Sequence, residues 1–459
     1  MIFNTKDFGA LGDGVTDDTA AIQATIDAAA AAGGGEVVLA AGTYIVSGGE
    51  EPSDGCLMLK SNVTLSGAGM GETIIKLADG SDTKVTGIVR SAYGEETHDF
   101  GMKNLTLDGN RDATTGKVDG WFNGYIPGSD GKDSNVTLDS VEIKDCSGYG
   151  FDPHEQTVNM VIKNSVSHGN GLDGFVADYL SDSVFENNVA YNNDRHGFNV
   201  VTSTHDFTLS NNVAYGNGST GIVVQRGSEN IPSPANITIT GGAVYGNGAE
   251  GVLIKLSSQV SVSGLDIHDN GSAGVRIYGS SGVDVFDNTL SNNSLGAPVP
   301  EIIIQSYDDT TGVSGKYFNG SDNLIRGNLI TGSDNSTYGV AERNEDGTDR
   351  NSIVGNTISH TSKGLNAGLR RWQLCGRCVP AGHRAGHRGQ RRYYRRCGTR
   401  ADLRSGGQRH AQRRHGRRHS GRRCRGRQAQ RRRGCRYLSL RSTDRQLSHG
   451  DHQRYRPAH

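Results

Sequence analysis

A motif that returns roughly every 22 to 30 residues constrains this chain more than any other feature. Apolar and β-branched residues around an Asn lead through Asn/Gly turns to a Gly-apolar step. Such copies run from Ile162-Lys-Asn-Ser-Val166 to Gly174-Phe175, from Phe185-Glu-Asn-Asn-Val189 to Gly197-Phe198, and from Leu209-Ser-Asn-Asn-Val213 to Gly221-Ile222. Later copies end at Gly251-Val252 and Gly274-Val275, and weaker ones continue through Ile325-Arg-Gly-Asn-Leu-Ile330 and Ile353-Val-Gly-Asn-Thr-Ile358. Each holds short strands separated by turns in which Asn and Gly tolerate positive φ. One copy cannot bury its own apolar face, whereas stacked copies bury one another. The expected fold is therefore all-β, a parallel β-helix.

Upstream, Asp17-Asp18-Thr19 precedes the Ala-rich segment Ala20–Ala32, which stops at Gly33-Gly-Gly35. Capping acids, a helix-favouring interior and a glycine stop predict an N-terminal α-helix. At the first coil it would cover an open sheet edge, which a solenoid requires.

The net charge of -1 conceals two kinds of polypeptide. Before Arg370 there are 20 Lys+Arg against 46 Asp+Glu; from Arg370 onward there are 28 Arg, no Lys and 3 acids. We place the boundary at 364, with a folded module over 1–364 and an Arg-rich, disordered tail over 365–459. Only Cys56 and Cys146 fall in the acidic part, so no disulfide framework is expected there. Met1–Phe8 lacks a basic segment followed by an apolar core, and no apolar run reaches membrane-spanning length. The expectation is a soluble module without a cleavable signal peptide.

Aligning the copies on the Gly-apolar step sets Gly150-Phe151 against the five steps that follow it. Two residues past each Gly lie Asp152, Val176, Asn199, Val223, Leu253 and Arg276; four past lie His154, Asp178, Val201, Gln225, Lys255 and Tyr278. In a strand these columns share a face, and equivalent positions on stacked coils are about 4.8 Å apart. His154 is thus expected one coil from Asp178 and beside Asp152, with Tyr149 just before the step. Gln225 and Lys255 extend the column, and the Arg195-His196 turn lies at its rim. Trp121-Phe122, one coil earlier, is either a stacking platform for a sugar or a packed aromatic pair. The plain alternative for the whole face is a solvated surface with chance polar residues.

Acid, imidazole, amide and ammonium in one row suit an extended polyanion, such as a polyuronate, lying across the coils. The matching chemistry is removal of the proton α to the uronate carboxylate, which needs that carboxylate neutralised first. Epimerisation then needs an acid on the opposite face, whereas elimination needs one at the leaving oxygen. His154 titrates near neutrality and Tyr149 near 10 in their ordinary states, so either fits a proton-transfer role. Asp152 and Asp178 could orient His154 or, protonated, neutralise the uronate.

Asp7-Phe-Gly-Ala-Leu-Gly-Asp-Gly-Val-Thr-Asp-Asp-Thr-Ala-Ala-Ile-Gln23 resembles the opening segment of pectate-lyase-type right-handed β-helix proteins, a superfamily of lyases, hydrolases, epimerases and phage tailspikes. This resemblance implies the right hand, a right-handed parallel β-helix. Tyr149–His154, Asn170–Asp178, Asp194–His205, Arg90–Glu96 and Leu107–Arg111 resemble the catalytic module of bacterial secreted, calcium-dependent mannuronan C5-epimerases over residues 1 to about 363. That resemblance implies conversion of β-D-mannuronate to α-L-guluronate within alginate, with Tyr149, Asp152, His154 and Asp178 as the catalytic group. It implies substrate contacts from Lys84, Arg90, Lys117, Phe122, Arg195, His196, Gln225 and Lys255. It also implies a secreted monomer with alginate as partner, neither membrane nor nucleic acid, and Ca2+ as cofactor. Asp108, Asp112, Asp119, Asp130 and Asp133 offer hard oxygen ligands for that ion, or are solvated turn acids. Alginate lyase, or mixed epimerase and lyase activity, is the alternative within enzymes, and an inactive alginate-binding solenoid the alternative of another class.

In that family calcium-binding nonapeptide repeats follow the catalytic module, but here Gln390-Arg-Arg-Tyr-Tyr394 and Gln408-Arg409 stand instead. Codons GGC GGC AAC GAT read out of frame yield CGG CAA CGA, Arg-Gln-Arg, so the tail reads as a frame-shifted remnant of such repeats. A basic arm for polyanions and a zinc site built on Cys375-x-x-Cys378 are the rivals.

Overall fold

The coil that opens at Gly150 shows the local logic. Phe151–Pro153, Thr157–Lys163 and Val166–His168 are strands, and Asn159 and Asn164 turn the chain at φ of 57° and 52°, a left-handed conformation that Asn adopts more readily than most residues. The same three strands recur as Phe175–Asp178, Leu180–Glu186 and Val189–Tyr191, then as Phe198–Val201, His205–Ser210 and Val213–Tyr215. In this computed structural model the described residues are 1–363, except 50, 52–54, 93, 125–130, 155, 228–230, 311, 313, 344–347 and 349, together with Leu374–Cys375. Asp130 and nearly all of the tail lie outside them.

Successive coils pair in parallel and in register, Phe175 with Phe198, then Ile222, Val252, Val275 and Ile302. Among the described residues eleven such strands, from Leu57–Leu59 to Val340–Glu342, form one sheet that carries the candidate site. A larger sheet holds the other strands of each coil. This is the parallel β-helix expected from the repeat. An antiparallel pair, Tyr307–Asp309 with Lys316–Phe318, is inserted after Ile302–Gln305 and lengthens the following step.

Inside the coils, Phe151, Phe175 and Phe198 stack with centroids 4.5 and 4.8 Å apart and planes within 8°. Full burial of each ring contributes about 1.5–3 kcal/mol. Beside them Asn170, Asn193, Asn217, Asn247, Asn270 and Asn293 form a buried ladder, each side-chain amide donating to the next at 2.8–2.9 Å. The ladder satisfies polar groups that would otherwise be buried without partners.

It also explains the glycine of the Gly-apolar step. A Cβ at Gly174 would lie 2.8 Å from Asn193 Nδ2, and one at Gly197 would lie 2.9 Å from Asn217 Nδ2. Close packing against the ladder, rather than a positive φ, demands glycine there.

The N-terminal helix, α1, spans Thr19–Ala31 and buries Ile22, Thr25, Ile26 and Ala29 against the first strands. Its start differs from the expected cap. Asp18 accepts the backbone N–H groups of Leu11 and Gly12 at 2.7 and 3.0 Å, so it ties down the preceding loop. Asp17 instead receives the Thr19 N–H at 2.9 Å. No helix among the described residues is long and apolar enough to cross a membrane.

Candidate active site

The strand Phe151–Pro153 pairs with Trp121–Asn123, setting Asp152 beside Phe122, and Phe122 beside Arg90 one coil earlier. On the other side Phe151 pairs with Phe175, which carries Asp178 to the level of His154. His154 Nε2 and Asp178 Oδ2 are 3.4 Å apart, with side chains 33% and 14% exposed. The column continues in register through Val201, Gln225, Lys255 and Tyr278. A cleft of about 640 Å³ over this column is lined by Lys84, Lys117, Phe122, Tyr149, Asp152, His154, Asp178, Arg195 and Gln225, among others.

Asp152 is buried at the cleft floor, 4% exposed. Burial pushes its carboxyl up to about 7, and the neighbouring Asp119 charge pushes the same way. Tyr149 and His154 flank it, one before and one after the strand. Burial raises the Tyr149 pKa, with Arg195 opposing and the Asp152 charge adding to the rise. Lys117 Nζ lies 4.5 Å from the Tyr149 ring centroid, and Arg195 Nη2 lies 3.4 Å from its hydroxyl.

Arg195 is held by a carboxylate that the sequence reading did not single out. Asp173, fully buried, accepts from Arg195 Nε and Nη2 at 2.6 and 2.5 Å, from the His196 N–H at 3.0 Å and from Asn199 Nδ2 at 2.8 Å. Burial works against the guanidinium charge, but the bidentate pair outweighs it and the Arg195 pKa rises. A signal was present: Asp173 precedes the Gly174-Phe175 step as Tyr149 precedes Gly150-Phe151. Asn199 in turn accepts from Gln225 Nε2 at 3.1 Å, which fixes that amide in the cleft wall.

Other expected contacts divide. Lys84 reaches the cleft, and Lys255 continues the column beyond it, its pKa lowered by burial and by Arg276. Arg90 is only 1% exposed and does not line the cleft; its guanidinium lies 5.0 Å from the Phe122 ring centroid and supports that ring from behind. His196 also stays out of the lining, with burial lowering its pKa and Nδ1 accepting the Thr220 N–H. Trp121 and Phe122 alternate in direction. Trp121 is a core residue stacked on Phe100 at 6.0 Å, and only Phe122 faces the cleft.

The described members of the proposed calcium set do not converge. Asp119 lines the cleft, where it accepts from the Tyr149 N–H at 2.9 Å and Lys117 Nζ at 3.1 Å. Asp133 is buried at the opposite end of the paired strands from Asp108 and receives the Thr97 N–H. Asp108 and Asp112 share a shallow cavity, but Lys144 holds Asp108 at 2.7 Å. No three carboxylate, histidine or cysteine side chains among the described residues form a metal-holding group. The described members of that set, Asp108, Asp112, Asp119 and Asp133, do not fit one calcium cradle, and Asp130 lies outside the described residues.

Fold and site together define a pectate-lyase-like parallel β-helix protein. Residues 2–250 match the family described as rhamnogalacturonase A/epimerase, pectate lyase-like, and residues 230–369 match the right-handed β-helix region. The chain is similar to the mannuronan C5-epimerase AlgE5 of Azotobacter vinelandii, 64% identical over 79% of this chain, and spans 36% of that relative's length. It is 57% identical to alginate lyase 7 of the same organism over 80% of this chain and 42% of that one. The solved A-module of the A. vinelandii epimerase AlgE4 superposes with a TM-score of 0.78 at 61% identity, covering 83% of this chain and all of that module. Within its class, the chain belongs to the mannuronan C5-epimerase family.

Proposed function

We propose that this chain epimerises β-D-mannuronate to α-L-guluronate within alginate, as a secreted monomer. One observation carries the proposal: a buried carboxyl, Asp152, raised to about 7 and flanked by two proton-carrying side chains in one cleft. A mannuronate carboxylate set against protonated Asp152 receives a hydrogen bond that neutralises it, which lowers the cost of the enediolate formed when C5–H is broken. His154, beside Asp178, takes the C5 proton. Tyr149 stays protonated near neutrality and donates to C5 from the other face. The phenolate left behind lies between Lys117 and Arg195, whose charges stabilise it. Proton exchange with solvent returns His154 to its neutral form and Tyr149 to its phenol. The aligned polar column, from Phe122 to Lys255, runs along the coils as an extended polyanion would. No step here runs through a metal.

The similarity to alginate lyase 7 supports one second reading, in which the carbanion expels the 4-O-linked sugar instead of being reprotonated. Polymannuronate treated with the full chain distinguishes them by NMR. Guluronate anomeric signals without unsaturated ends are the expected outcome; unsaturated ends mean elimination, and unchanged polymer means a binding solenoid.

A further inference from the structure

We propose that Tyr179 is a positioning residue for His154, forming with Phe122 an aromatic clamp on the imidazole. This deepens the epimerase reading and rests on it for its kinetic arm only. His154 sits on the middle of three stacked coils. Phe122, on the coil before, lies 5.7 Å from it centroid to centroid at an interplanar angle of 30°; Tyr179, on the coil after, lies 6.1 Å away at 28°. With the ring held on both faces, rotation about its side-chain bonds is restricted, and Nε2 is kept at Asp178.

The backbone at Tyr179 separates the structural role from the positioning role. Its φ is 55°, a conformation that bulky residues rarely adopt. Thr202, Leu256 and Gly279, which follow three of the equivalent strands, share it, at 60°, 54° and 62°, whereas Arg226 and Ser306, which follow two others, do not. The turn thus recurs in several coils, while among these described residues Tyr179 alone carries a ring. Tyr179 is also not core: it lines the catalytic cleft on one side and a second cavity of about 300 Å³, next to Ser181 and His205, on the other. A side chain in that place can steer the imidazole without holding up the coil.

Tyr179→Ala and Tyr179→Phe in the full chain test this, with Tyr179→Leu standing in if the alanine variant fails to fold. With 13C-labelled histidine, the His154 Cε1–H resonance, identified by its loss in His154→Gln, should move downfield in the alanine or leucine variant as ring-current shielding is lost. Phenylalanine should restore it. On polymannuronate, kcat should fall about tenfold with KM within about twofold for alanine or leucine, and phenylalanine should recover the rate. An unmoved resonance, an unchanged kcat, or a phenylalanine variant as impaired as alanine overturns the clamp. If the unsubstituted chain leaves polymannuronate unaltered, the epimerase reading fails, while the resonance still decides the clamp.

Discussion

Two faces of this solenoid carry side-chain arrays at nearly the same spacing, and they are built on opposite rules. On one, His168, Tyr191, Tyr215, Tyr245 and His268 stack with centroids 4.5–5.1 Å apart and planes within 9°. On the other, the column through the cleft changes residue at each coil: His154, Asp178, Val201, Gln225, Lys255 and Tyr278. The first gains from repetition, because like rings stack face to face along the axis. The second gains from difference, because in the proposed reaction the base His154 and the groups that hold an extended polymer at later coils have different tasks. In a repeat fold, sameness along a column marks packing, and its interruption marks chemistry.

Substitutions in the two arrays should therefore behave differently. His154→Gln should lower kcat by about 10³-fold with little change in thermal stability, measured by NMR of product formation and by calorimetry. Tyr191→Leu, in the repeated array, should leave kcat within about twofold. Asp173→Asn should cost about 10²-fold, because Arg195 loses its bidentate anchor and the Tyr149 phenolate its partner; an unchanged kcat would show that Lys117 suffices.

The pH response sharpens the contrast. In the proposed mechanism protonated Asp152 is the active form, so the rate should fall about tenfold per unit as pH rises above about 7, and this limb should vanish in Asp152→Asn. Stability follows the same proton. The unfolded carboxyl titrates near 3.8 and the folded one near 7, so the folded state holds an extra proton between them. Stability is therefore lost as pH rises across that window, and the asparagine variant should gain Tm relative to the parent chain between pH 5 and 8. The smallest effect is expected for Tyr215→Ala, which removes two stacking contacts and should cost about 1–3 kcal/mol of stability while leaving kcat unaltered.

Much of this contrast was legible in the sequence because the fold is periodic. The Gly-apolar step sets every coil to the same phase, so counting two and four residues onward placed Asp152, His154, Asp178, Gln225 and Lys255 on one face. Counting works only along strands. Asp173 and the Arg195 that it holds lie in turns, where side-chain direction follows local φ and not a two-residue period. Trp121 and Phe122 were read as a pair, yet strand alternation sends one into the core and one into the cleft. The acids chosen for calcium share a stretch of chain, but the long strands carry Asp108 and Asp133 to opposite ends.

By itself the sequence determined the solenoid, its helical start and the membership of the polar column, since all three follow from patterns local to a coil or repeated between coils. Tertiary structure alone decided the electrostatics. The raised Asp152 carboxyl, the Asp173–Arg195 anchor and the ring of Tyr179 against His154 depend on burial and on contacts between neighbouring coils. Those depend on distance in space, and residues more than twenty positions apart in the chain become neighbours only when the coils stack.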